Sequence, residues 1–262
     1  METTGEKLNI LITNDDGVKS KGISALIDMM RPYGDITVVA PFEAMSGMSA
    51  ALTIGKPLRL TELKSEEGLK IFACSGTPAD CVKMAMNQLF SSNPPHLLVS
   101  GINHGSNASV ASLYSGTLGA AAEGPVYGIP SVGFSLSSHH RDADFSASIH
   151  YGKIIIDQYL KNPPKPEIFL NVNFPDKPLN SIKGIKFCHQ GKGQWIKEFE
   201  ERTDPYGFHY YWMTGEFFNL EPDNRESDHN LVEDGYISIV PHKIDTTDYE
   251  ELSRLGTLWK FS

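Results

Sequence analysis

Residues Ile10-Leu11-Ile12-Thr13-Asn14-Asp15-Asp16-Gly17 constrain the fold of this chain more than any other segment. Apolar, β-branched residues run directly into two adjacent carboxylates and a glycine. The run reads as a buried first strand that ends by delivering two acidic side chains to one edge of a sheet. In open α/β sheets, ligands bind outside the carboxyl ends of the strands. Adjacent carboxylates repel each other unless a cation or a shared proton neutralises them. The cation suited to such a pair is hard and oxygen-seeking, Mg²⁺ or Mn²⁺. Asn-Asp-Asp-Gly is also good turn chemistry, so these residues alone leave a solvated turn as the alternative.

The first half of the chain alternates strand-like and helix-like segments. Strands are expected at Leu8 to Thr13, Ile36 to Ala40, Leu69 to Ala73, His96 to Val99 and Ser131 to Leu136. Helical spacing appears at Ile23, Leu26, Ile27 and Met30, and again at Val82, Ala85, Met86 and Leu89. The latter follows Thr77-Pro78-Ala79-Asp80, which has the form of a capping box with proline at the first helical position. This alternation predicts an α/β fold, a mostly parallel sheet with helices on both faces. A further helix ends near Leu160 before Pro163, Pro164 and Pro166, and Ile168 to Val172 reads as one more strand. Beyond Pro175 the composition shifts to aromatics, glycines and turn signals. Tyr206 to Met213 reads as strand or hairpin, Gly235 to Val240 as a late strand and Tyr249 to Leu255 as a short helix. The expected division is a catalytic core over 1–175 and a β-rich extension over 176–262. That extension would supply an oligomerisation arm and a returning terminal segment.

The formal net charge of -9 argues against a nucleic-acid duplex as partner, since that binding needs clustered Lys and Arg. A small phosphorylated ligand stays open, because a bound metal can invert the local field. Cys74, Cys81 and Cys188 are the only cysteines. Their number and spacing give neither a disulfide framework nor a zinc knuckle. Met1 to Asn9 lacks the apolar stretch of a signal peptide, and no apolar run approaches a membrane span. A cytoplasmic protein with no membrane partner is the expectation.

Two further loops carry residues suited to the acidic pair. Ala44-Met45-Ser46-Gly47-Met48-Ser49-Ala50 follows the second strand and reads, by itself, as a flexible loop whose hydroxyls can reach the strand-end edge. Ser100-Gly101-Ile102-Asn103-His104-Gly105-Ser106-Asn107 is sharper. Glycine lets the backbone approach a ligand closely. Asn103 offers a neutral oxygen to a hard metal and Asn107 an amide donor to an anion, although both also suit backbone capping. Next, Tyr114-Ser115-Gly116-Thr117 leads into an Ala-rich run and reads as a helix N-terminus, where free N–H groups favour phosphate. Ordinary capping by Ser115 or Thr117 is the alternative, yet capping does not require the intervening Gly116. His104 lies inside these segments and is a candidate general acid, or an ordinary loop histidine. His139, His140 and His209 show no partner pattern. Glu221 to Asp228 reads as a solvated acidic loop.

Taken together, Asn14-Asp15-Asp16-Gly17-Val18, Ser46-Gly47, Gly76-Thr77-Pro78-Ala79-Asp80-Cys81, Ser100 through Asn107, Tyr114-Ser115-Gly116-Thr117, Asp228, and Asp234 through Pro241 resemble the SurE survival-protein family over essentially the whole chain. Its members act as metal-dependent 5'/3'-nucleotidases. The resemblance implies a Rossmann-like fold whose C-terminal arm swaps between subunits, in a homodimer or homotetramer. It implies one divalent metal per subunit, Mg²⁺ or Mn²⁺, held by Asp15, Asp16, Ser46 and Asn103. It implies phosphate held by Asn14, Gly47, Ser115, Gly116 and Thr117, with Asp15, Asp16, Asn107 and Ser115 as catalytic residues. The substrate is then a nucleoside 5'- or 3'-monophosphate, with short polyphosphate as a further candidate. His104 and Ser106 depart from the family's usual small residue and its Pro or Ala, which bears on substrate preference.

Two other classes are weaker. A receiver-like signalling module also has an acidic pair after the first strand, but it needs an acceptor Asp at a later strand end, where this chain has Ser100-Gly101-Ile102-Asn103. A dinucleotide-binding dehydrogenase needs a Gly-rich GxGxxG after the first strand, and Asn14-Asp15-Asp16-Gly17 would repel a pyrophosphate.

Overall fold

The structure, a computed structural model, describes residues 7–261. The leaderless reading of the first residues therefore falls mostly on 1–6, outside the described part. In chain order the elements are β1 (Leu8–Thr13), α1 (Lys21–Met30), β2 (Gly34–Pro41), β3 (Leu60–Glu66), β4 (Leu69–Cys74), α2 (Pro78–Met84), β5 (Leu97–His104), α3 (Gly116–Val126), β6 (Ser131–Leu136), α4 (Ser146–Lys161) and β7 (Ile168–Phe174). They are followed by β8 (Ile185–Phe187), β9 (Gly193–Ile196), β10 (Phe199–Thr203), β11 (His209–Met213), β12 (Glu216–Asn219), α5 (Asp228–Glu233), β13 (Ile237–Lys243) and α6 (Tyr249–Leu258).

Nine strands form the central sheet in the order β3-β4-β2-β1-β5-β6-β7-β13-β8. Its middle, β4-β2-β1-β5-β6-β7, is parallel throughout. The side-chain period of two explains the layers. Ile10 and Ile12 of β1 pack with Ile23 and Leu26 of α1 and Ile155 and Ile156 of α4. Leu11 between them points the other way, into a second core with Cys81, Val82 and Met86 of the α2 region and Ala120 of α3. Both faces are thus covered, as the fold class required. From β1 the chain builds one side of the sheet through β2 and β4, then crosses to the other side at β5. The strand order reverses between β1 and β5, and in such sheets that crevice is the ligand site.

From 176 onward the chain divides its residues. β13 returns to the central sheet antiparallel to β7, and β8 pairs with β13. Between them β9 pairs with β12 and β10 with β11, giving a two-part antiparallel arm. Phe199, Phe208, Tyr211, Trp212 and Met213 on the arm are exposed. β3 had no counterpart in the sequence reading. It is an edge strand, antiparallel to β4, with a register break between Glu62 and Lys64 and almost no burial. Its Thr-Glu-Leu-Lys-Ser-Glu sequence is the charged composition that protects an open edge, and it carries no apolar alternation to read. No helix among the described residues is long and apolar enough to cross a membrane.

Candidate active site

Three segments converge at the β1/β5 crevice. The first is the turn after β1. Asn14 is fully buried, and its amide donates to the Gly17 carbonyl at 3.0 Å and to Ser20 Oγ at 2.9 Å. Both donor N–H groups are spent on the turn and on the N-cap residue of α1. The Asn14 side chain thus shapes the turn. Asp15 is buried and Asp16 partly so.

The second segment is the end of β5. Ser100 pairs with Gly133 and Asn103 with Ser135, so β5 spends one more residue than β6 over that interval. Such bulges re-aim side chains next to sites. Gly101 at the bulge has φ +127°, and a Cβ there would stand 2.3 Å from the Phe134 carbonyl oxygen. Beyond it the Asn103 amide nitrogen donates to the Gly105 carbonyl at 2.8 Å. That fixes the amide plane and leaves the carbonyl oxygen for another partner. The His104 N–H donates to Asp16 Oδ2 at 3.0 Å, so β5 grips the second carboxylate directly. The His104 ring packs edge-on against Phe145, with centroids 5.0 Å apart.

The third segment is the start of α3. Ser115 is its N-cap, accepting from the Leu118 N–H at 3.1 Å. Thr117 Oγ1 donates to Asp15 Oδ1. Gly116 explains itself here: a Cβ on it would lie 2.8 Å from Asp15 Cβ and 3.1 Å from Asp15 Oδ2. Only a residue without a side chain lets the free N–H groups of a helix N-terminus stand against the first carboxylate. Asn107 is 6% exposed, and its Nδ2 donates to Ser135 Oγ at 2.8 Å. That leaves one of its two amide N–H groups for another acceptor.

The Ser46–Gly47 loop is stapled rather than free. The Met45 N–H donates to the Asp15 carbonyl at 2.7 Å. Ser49 donates through its N–H to the Tyr114 carbonyl at 3.1 Å and through Oγ to the Leu113 carbonyl at 2.9 Å. Thr77 Oγ1 reaches the Ala51 carbonyl at 2.6 Å, and the Thr53 N–H reaches both oxygens of Asp80 at 3.1 and 3.2 Å. The capping box read in the sequence is present, and it has this second task, which no local signal announces. Ser46 and Gly47 are exposed and stand between the Met45 and Ser49 anchors.

The electrostatics of the pair favour a cation. Burial pushes the Asp15 carboxyl up to about 6; the Thr117 hydroxyl opposes this and the neighbouring Asp16 adds to it. Asp16 is also raised by burial, against the His104 N–H and the imidazoles of His104 and His139. No ion pair to either carboxylate forms among the described residues. Nor do these residues contain a cluster of three or more His, Cys, Asp or Glu fit to hold a metal. The oxygens that could meet a hard cation such as Mg²⁺ or Mn²⁺ at this edge are those of the two carboxylates and of the Asn103 amide.

Local sequence pattern gave no role to two residues near the site, of which only Asp228 entered through the family resemblance. His139 showed no pattern, yet its ring lies over the Gly105 backbone, where a Cβ would be 2.5 Å from Cε1. Asp228 was read as part of a solvated loop. Instead it is fully buried and accepts from the Ser109 N–H at 2.9 Å and the Gly191 N–H at 2.8 Å. Its long-range partners left no trace in local sequence.

The profile of the family described as Survival protein SurE matches residues 10–197. A protein of Cytophaga hutchinsonii named 5'-nucleotidase SurE is 45% identical over 252 residues, covering 96% of this chain and 97% of that protein. One of the same name from Chlorobaculum tepidum is 38% identical over 257 residues, covering 98% and 97%. The crystal structure of the SurE protein from Aquifex aeolicus superposes with a TM-score of 0.82 at 34% identity, covering 95% of this chain and 99% of that one. With a matched profile over most of the sequence, near-full-length relatives and the same fold, the chain belongs to the SurE survival-protein family.

Proposed function

We propose that this chain is a metal-dependent phosphoric monoester hydrolase. It would cleave nucleoside 5'- and 3'-monophosphates to nucleoside and phosphate, with short polyphosphate as a further substrate. The observation that carries the reading is the contact of Asp15 with Gly116 and Thr117. It puts a buried acidic pair and a helix N-terminus, an anion cradle, at one point of the sheet. The nucleotidase names of the relatives support the substrate class.

Asp15, Asp16, Asn103 and Ser46 would hold one Mg²⁺ or Mn²⁺ ion. Such an ion, when bound, neutralises phosphate charge and polarises water. The remaining work falls to the chain. The N–H groups of Gly116 and Thr117, the Ser115 hydroxyl proton and the free amide N–H of Asn107 receive phosphate oxygens, and Gly47 lets the facing loop approach. An attacking water would form the new P–O bond and give up a proton to one of the two carboxylates as the ester P–O bond breaks; the leaving alkoxide takes a proton from solvent water, and the carboxyl later returns its proton to solvent. Phosphoryl transfer depends mainly on positioning and electrostatic stabilisation, so this small set suffices. The arm, with its exposed aromatic residues, would pair with a second copy in a homodimer or homotetramer, and the location would be cytoplasmic. The test is phosphate release from 5'- and 3'-nucleotides, with and without EDTA, followed by re-addition of Mg²⁺ or Mn²⁺. Undiminished turnover by exhaustively metal-stripped protein would end this reading.

A further inference from the structure

The stretch leading from Asn107 to Ser115 is held from outside the core. Ser109 has φ +56°, a left-handed conformation that a serine adopts only when its surroundings fix it. Its N–H donates to Asp228 Oδ2 at 2.9 Å and its Oγ to the Gly191 carbonyl at 2.9 Å. The Gly191 N–H closes the ring by donating to Asp228 Oδ1 at 2.8 Å. The His229 N–H adds a bond to Oδ1 at 2.7 Å. Gly191 is the last turn before β9, so it is the root of the arm. From Ser109 the path continues inward. Ser112 Oγ donates to the Ser109 carbonyl at 2.8 Å, and Ser49 Oγ to the carbonyl of Leu113, the residue after Ser112, at 2.9 Å.

A fully buried carboxylate without a cation is costly unless several donors meet it. Three backbone N–H groups do so here. A neutral amide of the same shape has one accepting oxygen and cannot serve both Ser109 and Gly191. The charge therefore specifies one relative placement of two segments: the arm root and the turn ahead of α3.

We propose that Asp228 is a positioning residue for the phosphate-holding segment. With Ser109 and Gly191 it fixes the turn at 109–115 from the arm root. It thereby sets where Ser115 and the first N–H groups of α3 stand relative to Asp15. This rests on the phosphate-site reading above. Asp228 itself touches no substrate.

The experiment compares wild type, Asp228→Asn and Ser109→Gly. Glycine tolerates the positive φ, so Ser109→Gly removes the hydroxyl link to Gly191 and loosens the turn while keeping the backbone bond to Asp228. If Asp228→Asn does not fold, Ser109→Gly decides whether the arm root positions this segment. Three quantities are read: calorimetric affinity for inorganic phosphate with Mn²⁺ present, KM and kcat for a nucleoside monophosphate, and affinity for Mn²⁺ alone. Phosphate affinity should fall, and KM rise, by about tenfold, the equivalent of one hydrogen bond to a charged group. Mn²⁺ affinity should hold. A purely structural role would lower the unfolding temperature and the active fraction while KM stayed put, and that result overturns the proposal. So would parallel loss of Mn²⁺ and phosphate binding. If wild type binds inorganic phosphate but cleaves no nucleotide, the nucleotidase reading fails, and the phosphate isotherms alone decide the role of Asp228. Wild type that binds no phosphate overturns both.

Discussion

Thr117 and Asp15, 102 positions apart, are joined by a hydrogen bond from the threonine hydroxyl to the carboxylate. The bond ties the end of the first strand to the first turn of α3. It also creates a conflict. The helix end that would receive a phosphate already faces a carboxylate, and two anions at one helix terminus repel. A cation between them would resolve the repulsion, so the proposed metal and phosphate sites would depend on each other. Burial is the main reason the Asp15 carboxyl is raised, and the Asp16 charge adds to it.

Thr117→Val keeps the shape of the side chain and removes the donor. Asp15 is then left buried with one bond fewer, which should cost about 1–3 kcal/mol of stability in metal-free protein. Nucleotide turnover should drop as well, while Thr117→Ser should restore both. Chemical denaturation and a phosphate-release assay give the two readouts. Equal stability of the valine and serine variants would show that the bond contributes nothing.

Asp15→Asn removes one charge from the pair with little change in volume. Wild type should be stabilised by Mn²⁺ according to RT ln(1 + [L]/Kd), about 2.7 kcal/mol at a hundredfold excess over Kd. The variant should show little of that gain, and its activity should fall with it. Ser115→Ala should keep the Mn²⁺ response, because Ser115 caps α3 and lies outside the donor set. Thermal unfolding across a Mn²⁺ titration separates the two. An Asp15→Asn protein with the wild-type Mn²⁺ shift would refute the assigned ligand role.

Much of this was legible in the sequence because the signals were local. The run Ile10 to Asp16 announces a strand and its acidic end, and Ser115-Gly116-Thr117 announces a helix start. Thr77 to Asp80 announces a capping box. What stayed hidden depends on contacts between distant segments. Gly116 looks optional until Asp15 is placed 2.8 Å from its missing Cβ. Nothing local to Asn14 shows that its amide donates to Gly17 and Ser20. Asp228 reads as a solvated acid because its partners, Ser109 and Gly191, lie 119 and 37 positions away. The edge strand Leu60–Glu66 lacks an apolar face altogether.

The arm yields a prediction about assembly. Phe199 and Met213 are paired across β10 and β11, and both are exposed, as are Tyr211 and Trp212. An exposed apolar patch of this kind marks an association surface. Light scattering should give at least twice the 28.9 kDa chain mass. The double substitution Phe199→Glu with Met213→Glu should lower that mass without unfolding the core, whose clusters include neither residue. A wild-type protein that is monomeric at micromolar concentration would count against an assembling arm.

Asp80 links acid stability to the loop that carries Ser46. Its burial raises the carboxyl, but the bonds from Thr53 and Thr77 outweigh that and hold it below the usual carboxylate range. The folded protein therefore keeps Asp80 ionised at a pH where the unfolded chain has taken up the proton. Between those two pKa values the unfolded state binds more protons, so stability falls as pH falls. The contribution is fully present above the ordinary Asp value, 3.8, and is lost as pH drops through the folded value. Asp80→Asn does not titrate. It also leaves an N–H of Thr53 or Thr77 without its carboxylate partner, at a cost of about 1–3 kcal/mol at neutral pH. Denaturant titrations of both proteins from about pH 7 to about pH 3 should show a gap that is constant at first and then narrows as Asp80 protonates. Because Thr53 anchors the far end of the 45–53 loop, turnover by Asp80→Asn should also fall at neutral pH, with the Mn²⁺ response weakened less than by Asp15→Asn. A gap that stayed constant or widened on acidification would mean that the Asp80 bonds do not stabilise the folded state.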